Sequence, residues 1–246
     1  MNTYDHRLSK YYDLIYSSKA YKKEADFILK HCPNRNSLID IGCGTCNHSL
    51  ILSEHFNTIL GLDESLPMLM RAKQKTDHLP NVALTNEKIE TVKGRFSCAI
   101  SMFNVINHIH TIEQLSLFFE TANTALIADG VFIFDCWNGV SCIIDPPKLH
   151  EKREIHIDNM HIICDYYSNT DIFNSTCEMK NEISIKKGDT VVENIQYELK
   201  HTLWTPKIIT NLLLDNGFES PDIYAYFTKE KAVASTSRIT FVVKKK

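Results

Sequence analysis

The chain has 246 residues, 43% of them hydrophobic and 23% charged, and a formal net charge of −3. A chain of this length buries about 70–75% of its unfolded surface, so its core needs neither a disulfide framework nor a metal ion. The slightly acidic balance argues against broad nucleic-acid binding, and the sequence lacks the run of about 18 apolar residues that a membrane span requires.

The first half of the chain alternates between helical and strand patterns. Residues 18–32 carry apolar side chains at helical spacing, and Pro33 follows them. The other helical segments are 47–56, 65–75 and 111–127, and the short apolar runs that predict strands are 37–42, 58–63, 82–86, 96–103 and 131–137. Strands that alternate with helices in this way predict a doubly wound, Rossmann-like α/β sheet.

The pattern changes after about residue 150. Residues 151–203 alternate with period two and predict three or four antiparallel strands, with a hairpin turn at 187–189. Thr205 and Pro206 are typical of the start of a helix over 205–218, and two final strands are expected at 222–227 and 238–243. We divide the chain into an N-terminal helical cap (1–35), a core (36–137), an antiparallel β lobe (138–204) and a last helix with two core strands (205–246).

A glycine turn follows the first predicted strand in "LIDIGCGTCNHSL". Asp40 ends the strand, Gly42 and Gly44 follow, and Asp63 ends the second strand. In open α/β sheets ligands bind at this edge, where glycines allow close backbone approach and an acidic side chain can accept hydrogen bonds from a ribose. A dinucleotide site prefers a third glycine, but Asn47 stands there. The turn therefore favours S-adenosylmethionine, with an NAD(P)-dependent oxidoreductase as the alternative from another class.

Three segments resemble the successive motifs of class I S-adenosylmethionine-dependent methyltransferases: "LIDIGCGTCNHSL", "GLDESLPMLMRAK" and "FSCAISMFNVINHI". The segment "YYDLIYSSKAYKKEADFI" is similar to the opening helices of small-molecule members, notably the N-methyltransferases that act on nucleotide-linked amino sugars. The resemblance covers residues 11–137. It implies a seven-stranded sheet, a helical N-terminal cap and an antiparallel lobe inserted after strand five, and we also consider a homodimer through that lobe.

The resemblance assigns cofactor contacts by position. The backbone from Gly42 to Gly44 would lie along the methionine part, Asp63 would bind the ribose, and Tyr12 and Tyr16 would close the site, although their helical spacing also fits a packing stripe. Asn86 replaces the usual aspartate of the family, and its side-chain oxygen can still accept a hydrogen bond. The full predicted set is Tyr12, Tyr16, Asp40, Gly42, Cys43, Gly44, Asp63, Glu64, Met68, Asn86, Glu87, Met102 and Phe103.

His108 matches the position of a substrate-side histidine in the amino-sugar subgroup. Our hypothesis is that His108 orients or deprotonates the acceptor, with Tyr12 as a second catalytic candidate, and the alternative is a loop histidine satisfied by backbone bonds. Trp137 and Asn138 are acceptor-side candidates, and Trp137 alternatively belongs to the core. His108 and His110 lack a third ligand at a recognisable spacing, so no metal is predicted.

The eight cysteines are expected to be buried free thiols in a reducing cytoplasm, and the N-terminus lacks the apolar segment of a signal peptide. Cys43 and Cys46 form a C-x-x-C spacing, but Cys43 lies between the two glycines, so we interpret the pair as part of the turn.

The sequence thus predicts an S-adenosyl-L-methionine-dependent methyltransferase with a small-molecule acceptor, best matched by the amine of a nucleotide-linked sugar. No nucleic-acid or membrane partner is expected. O-methylation of a sugar or of another nucleotide-linked molecule is the nearest alternative. A non-catalytic S-adenosylmethionine-binding protein is a further one, since Asn86 departs from the family pattern.

Overall fold

The computed structural model describes residues 5–88, 91–92 and 96–246. The helices are α1 (His6–Ile15), α2 (Tyr21–His31), α3 (Asn47–Leu52), α4 (Leu66–Thr76), α5 (Ile112–Ala125), α6 (Gly139–Ile144) and α7 (Pro206–Asp215). The strands are β1 (Ser37–Ile41), β2 (Thr58–Leu62), β3 (Val82–Thr85), β4 (Phe96–Ser101), β5 (Leu126–Trp137), β6 (His150–Ile157), β7 (Met160–Asp171), β8 (Thr176–Lys187), β9 (Thr190–Thr202), β10 (Asp222–Ala225) and β11 (Arg238–Lys244).

The main sheet has seven strands in the order β10-β11-β5-β4-β1-β2-β3. Strands β1 to β5 run parallel, and β11 is antiparallel to both β5 and β10. Every residue of β1 and β4 is buried, as expected for parallel strands covered by helices on both faces. Because β1 lies between β2 and β4, the strand order reverses at the carboxyl end of β1, where ligands bind in such sheets.

The main core lies between the sheet and helices α5 and α7. Its largest side chains are phenylalanines with no more than trace exposure, and the rings of Phe134 and Phe241 stack at 4.8 Å. Burying a phenylalanine side chain contributes about 1.5–3 kcal/mol, so this cluster fixes the half of the sheet that carries β5 and β11. The members of the cluster are Phe119, Phe132, Phe134, Phe218 and Phe241.

The β lobe is a four-stranded antiparallel sheet in the order β6-β7-β8-β9. Gly188 and Asp189 separate β8 from β9, which confirms the predicted hairpin. One face of the lobe packs against helix α1, where Leu8 and Ile15 meet Ile162 and Ile183. The α/β class, the seven-stranded sheet, the helical N-terminal segment and the antiparallel lobe after strand five are therefore confirmed.

Element boundaries differ from the prediction around the fifth strand. The strand begins at Leu126 rather than at 131, and α5 ends at Ala125. The predicted turn at Asp129-Gly130 lies inside the strand, where Asp129 has a φ of 59° and the register with β4 shifts. A bulge of this kind lets a turn-like pair sit within a strand, which the sequence pattern cannot distinguish from a strand end.

Two cysteines depart from the expectation of free thiols. Cys32 ends helix α2, which packs over β4, and it forms a disulfide with Cys98 across a Cα–Cα distance of 6.3 Å. The pairing joins positions 66 residues apart, so local sequence could not reveal it. The remaining cysteines are free and buried: Cys43, Cys46, Cys136, Cys142, Cys164 and Cys177. Among the described helices, none is long and apolar enough to span a membrane.

Candidate active site

The turn after β1 holds two glycines in left-handed backbone conformations. Gly42 has a φ of +76°, and an added Cβ would lie 2.8 Å from Cγ2 of Val105. Gly44 has a φ of +55°, and no heavy atom lies within 4 Å of the place where its Cβ would be. The backbone N–H groups of Gly42 and Cys43 both donate to the carbonyl of Leu62, which ties the turn to the end of β2. Bare backbone next to open space is thus present at the predicted edge of the sheet.

Asp63 lies beside this turn at the end of β2. One carboxylate oxygen accepts the N–H of Gly44 at 2.8 Å, and the other accepts the N–H of Ser65 at 2.8 Å. Burial raises the pKa of Asp63, and the two backbone bonds oppose that shift. Each oxygen keeps a further lone pair, so the side chain can still accept hydrogen bonds from a diol.

Asp40 lies beneath the turn and is 1% exposed. Its Oδ2 accepts the hydroxyl of Ser49 at 2.6 Å, while its Oδ1 is buried without a partner among the described residues. Burial raises the pKa of this carboxyl group. A buried oxygen without a hydrogen bond costs about 1–3 kcal/mol, so Asp40 offers an acceptor that a ligand donor can satisfy.

Three aromatic side chains meet next to the turn. The ring of Tyr16 lies 4.8 Å from that of Tyr12 and 4.9 Å from that of Phe103. Phe103 and Asn104 both have left-handed backbone, with φ values of 73° and 64°. The N–H of Phe103 donates to the fully buried Asp135, which holds this unfavourable conformation in place. Backbone strain of this kind is common at ligand sites, and here it directs the Phe103 ring toward α1.

Two cations approach the same aromatic group, and the sequence patterns did not reveal either. Nζ of Lys19 lies 4.9 Å from the centre of the Phe103 ring. The guanidinium of Arg238 lies 5.7 Å from the Phe103 ring and 3.9 Å from the Tyr226 ring. Nη2 of Arg238 also donates to Oδ2 of Asp135 at 3.4 Å. Each cation has its own carboxylate partner, Glu24 for Lys19 and Asp135 for Arg238, and also lies over the aromatic rings.

Three rings from distant parts of the chain meet, and two of them, His108 and Trp137, belong to predicted acceptor-side residues. His201, in β9, makes edge-to-face contacts with His108 at 4.7 Å and with Trp137 at 4.9 Å. Burial lowers the pKa of His108 to about 4 and that of His201 to about 3, so both imidazoles are neutral near pH 7. The side chain of Asn107 links these segments. Its amide nitrogen donates to the carbonyl of Thr202, and its amide oxygen accepts the backbone N–H of Trp137.

Known proteins resemble this chain in both sequence and fold. Residues 38–130 match the family model described as a methyltransferase domain. A dTDP-3-amino-3,6-dideoxy-alpha-D-glucopyranose N,N-dimethyltransferase of Streptomyces fradiae is 29% identical over 142 residues, which are 54% of this chain and 54% of that protein. The chain spans about half the length of the curated relatives it matches.

Solved structures share the whole fold. An S-adenosylmethionine-dependent methyltransferase from Clostridium acetobutylicum superposes with a TM-score of 0.82 at 21% identity, covering 99% of each chain. CalS10, an amino pentose methyltransferase from Micromonospora echinaspora solved with bound S-adenosylmethionine, superposes with a TM-score of 0.75 at 16% identity, covering 96% of each chain.

Residues 38–130 therefore carry a methyltransferase domain, and the chain shares the fold of solved S-adenosylmethionine-dependent methyltransferases. The cofactor prediction, S-adenosyl-L-methionine, is confirmed by this family match. The residues of the domain fit that cofactor, because Gly44 leaves open space beside its backbone, Asp63 retains acceptor capacity, and Asp40 has an unpaired buried oxygen that suits an ammonium group.

A polar network joins helix α1 to the turn of the methyltransferase domain. Oδ1 of Asp13 accepts bonds from Thr45 at 2.6 Å and Asn47 at 2.9 Å, and its Oδ2 accepts from Lys75 at 2.8 Å. Burial opposes ionisation of Asp13, but the bonds from Lys75 and Thr45 outweigh it and lower the pKa. Asn47, which replaces the third glycine of a dinucleotide motif, thus has a role in holding α1 over the turn.

The other predicted cofactor residues lie at the same edge of the sheet but differ in exposure. Met68 and Met102 are buried at 2% and 3% exposure, whereas Glu64, Asn86 and Glu87 are exposed after β2 and β3. The sulfurs of Cys43 and Cys46 pack against Gly61 in β2, and both residues belong to one buried cluster. The C-x-x-C pair therefore packs the turn onto the sheet.

Asn138 holds two segments of the chain together. Its side chain is 1% exposed and caps helix α6 by accepting the N–H of Val140, while its amide donates to the carbonyls of Ala234 and Thr236. These bonds give Asn138 a structural role in holding the C-terminal loop, and its acceptor contact stays a prediction. Its place after β5 gave no sign of this role, because the partners lie almost 100 residues away.

Potential metal-ligating side chains meet on the β lobe. Within residues 5–88, 91–92 and 96–246, the group with suitable donor spacing is Glu154, His156 and His161 on the outer face of the lobe. His110 is exposed and its ring bonds to Thr202. The described residues thus give the methyltransferase site no such ligand group.

The two buried imidazoles predict a loss of stability in mild acid. Because the folded-state pKa values of His108 and His201 lie below 6.5, the unfolded chain takes up protons first as the pH falls. Each histidine then lowers the free energy of unfolding by up to about 1.4 kcal/mol per pH unit below 6.5. Urea unfolding should show a loss of about 3 kcal/mol between pH 7.5 and 5.5 from this pair.

The control for this loss is the exposed His78, because the charge of His110 itself acts on both buried rings. His201→Gln should reduce the acid-induced loss by about half, and His78→Gln should leave it unchanged. An equal loss in wild type and His201→Gln would contradict the assignment of the acid sensitivity to the buried rings.

Proposed function

We propose that the protein transfers a methyl group from S-adenosylmethionine to the amine of a small, nucleotide-linked sugar. The observation that carries this proposal is the glycine turn with Asp63 beside it, next to a face where His108, His201 and Trp137 meet. The dTDP-amino-sugar acceptor in the name of the Streptomyces fradiae relative supports the acceptor class.

The acceptor side suits an uncharged amine. S-adenosylmethionine, when bound, supplies a methyl group on a positively charged sulfur, and the acceptor nitrogen needs a free lone pair to receive it. A neutral imidazole can accept a hydrogen bond from an amine N–H, or its proton, so His108 orients the amine and receives its proton. Tyr12 and Tyr16 lie on the cofactor side, where a ring face attracts positive charge by about 0.5–2 kcal/mol.

We further propose that the segments have separate tasks. The cap over residues 1–35, of which 5–35 are described, covers the cofactor, residues 36–137 and 205–246 form the sheet, and the lobe over 138–204 faces the acceptor. A homodimer through the lobe and a cytoplasmic location stay predictions, and light scattering of the purified protein tests the first.

Calorimetric titration and turnover test the proposal together. S-adenosylmethionine and S-adenosylhomocysteine should give binding heat and NADH should not. Mass spectrometry after incubation with dTDP-amino sugars should show added methyl groups, and dTDP-sugars that lack the amine should stay unmodified. Binding of NADH alone would overturn the methyltransferase assignment, while methylation of the amine-free sugars would replace N-methylation by O-methylation.

His108 is tested by its variants across pH 6–9. Because its ring accepts a proton or hydrogen bond in the proposed reaction, His108→Ala and His108→Gln should lower the methylation rate about 10²-fold or more. The exposed His110→Ala variant should retain the wild-type rate. Wild-type methylation rates in both His108 variants would remove the proposed role.

A further inference from the structure

The inner face of the lobe carries a polar band next to the cofactor side. Tyr166, Asn181 and Tyr197 face one another directly across β7, β8 and β9. Arg153 reaches the same band from β6, where its partner in register is Cys164, two residues before Tyr166. On the same face of the lobe, the apolar residues that pack against α1 lie next to this polar band.

Arg153 contacts only uncharged groups in this band. Its Nη2 donates to the carbonyl of Ile15 at 2.7 Å and to the hydroxyl of Tyr166 at 3.1 Å. Its guanidinium lies 5.5 Å from the ring of Tyr16, the predicted cofactor residue. No carboxylate of residues 5–88, 91–92 or 96–246 forms an ion pair with it, and its Nε is buried without a hydrogen-bond partner. The thiol of Cys164, a weak acceptor, also interacts with the guanidinium.

A second buried donor lies in the same band. Asn181 is 2% exposed, and its amide nitrogen has no hydrogen-bond partner in the described part of the chain. Leaving a buried donor unsatisfied costs about 1–3 kcal/mol, and native structures contain few such groups. Two unsatisfied donors and an unpaired positive charge on one face therefore indicate a missing acceptor that is rich in oxygen and negatively charged.

We propose that Arg153 and Asn181 bind a phosphate of the acceptor, an inference that rests on the proposed function. When a phosphate oxygen replaces the Tyr166 hydroxyl on Nη2, the Nε and Nη2 groups of Arg153 present two parallel N–H donors that match two oxygens of a phosphate. The amide of Asn181 adds an uncharged donor from the middle of the lobe sheet. The lobe thus recognises the anionic end of the acceptor, while the methyltransferase domain holds the cofactor.

The alternative role for Arg153 is to anchor helix α1, and it predicts a different effect of substitution on ligand binding. The bond to Ile15 satisfies a carbonyl at the end of helix α1, where a positive charge is favourable. A lysine at this position can keep that charge and one such bond, but it has no Nε donor and no paired geometry. Arg153→Lys therefore separates anchoring of α1 from recognition of the phosphate.

The experiment measures binding of thymidine 5′-diphosphate and of inorganic pyrophosphate by calorimetry, in the presence of S-adenosylhomocysteine. Arg153→Gln should weaken both ligands about tenfold or more, and Arg153→Lys several-fold. The matched control is Lys152→Gln, because Lys152 is the adjacent residue on the outer face of the same strand with a side chain 49% exposed. The control should bind both ligands as wild type does.

Unchanged affinity for thymidine diphosphate in Arg153→Lys and Arg153→Gln would overturn this proposal. A loss of S-adenosylmethionine affinity instead would also overturn it, since that result assigns Arg153 to the carboxylate of the cofactor. If Arg153→Gln does not fold, Arg153→Lys decides alone. Failure of wild type to bind S-adenosylmethionine would reject the proposed function, whereas diphosphate binding is measured without any methyl transfer.

Discussion

Replacing Gly44 by Ala is expected to weaken S-adenosylmethionine binding about tenfold or more, with a loss of stability limited to the strain of a left-handed alanine. The backbone of Gly44 has a φ of +55° and no heavy atom within 4 Å of an added Cβ, so the new methyl group would enter the space assigned to the cofactor. The N–H of Gly44 also donates to Asp63, so a shift of the turn would displace the proposed ribose acceptor as well. Calorimetric titration of the variant with S-adenosylmethionine measures the loss.

Gly188→Ala is the matched control for backbone strain. Gly188 has a φ of +57°, and an added Cβ there also meets no heavy atom within 4 Å, but it lies in the β8–β9 hairpin of the lobe. A left-handed alanine costs about 1–2 kcal/mol at either position, so the two variants should lose similar thermal stability. Equal cofactor affinity in the two variants would show that the turn after β1 does not contact S-adenosylmethionine.

The sequence was most informative where local pattern and local structure coincide. The apolar run of β1, the glycines after it and Asp63 at the end of β2 lie within about 25 residues, and the sheet brings their ends to one edge. The period-two pattern of the lobe predicted its hairpins for the same reason, because alternation and turn residues act over a few positions. These features can be predicted without knowing which strands become neighbours in the sheet.

Roles that depend on distant partners were missed. Asp13 meets Thr45 across 32 positions, and His201 reaches the acceptor side only because β9 returns from the lobe toward Trp137. The structural role of Asn138 was missed because its carbonyl partners lie in the C-terminal loop. Neither periodicity nor spacing encodes such contacts, since they follow from the order of strands and the path of the inserted lobe.

Replacing Glu24 by Gln is expected to lower the free energy of unfolding at pH 7 by about 3–5 kcal/mol. Glu24 is 2% exposed and accepts bonds from Lys19, from His48 at 2.6 Å and from Tyr226 at 2.8 Å. Burial alone would raise its pKa, but His48 and Lys19 outweigh burial and hold the pKa at about 2. Without this carboxylate, the side chain of Lys19, 9% exposed, becomes a buried cation without its counter-charge beneath the Phe103 ring.

Asp26→Asn on the same helix is the matched control, because Lys22 and Asp26 form an ion pair with side chains 79% and 55% exposed. Such a surface pair contributes at most about 0.5 kcal/mol. The folded-state pKa of Glu24 lies below 4.5, so its stabilisation is complete above pH 4.5 and is lost as the pH falls toward 2. Urea unfolding should therefore show the wild-type advantage over Glu24→Gln shrinking across that range. Equal losses in Glu24→Gln and Asp26→Asn at pH 7 would mean that packing alone, and not the buried charges, supports Phe103 at the site.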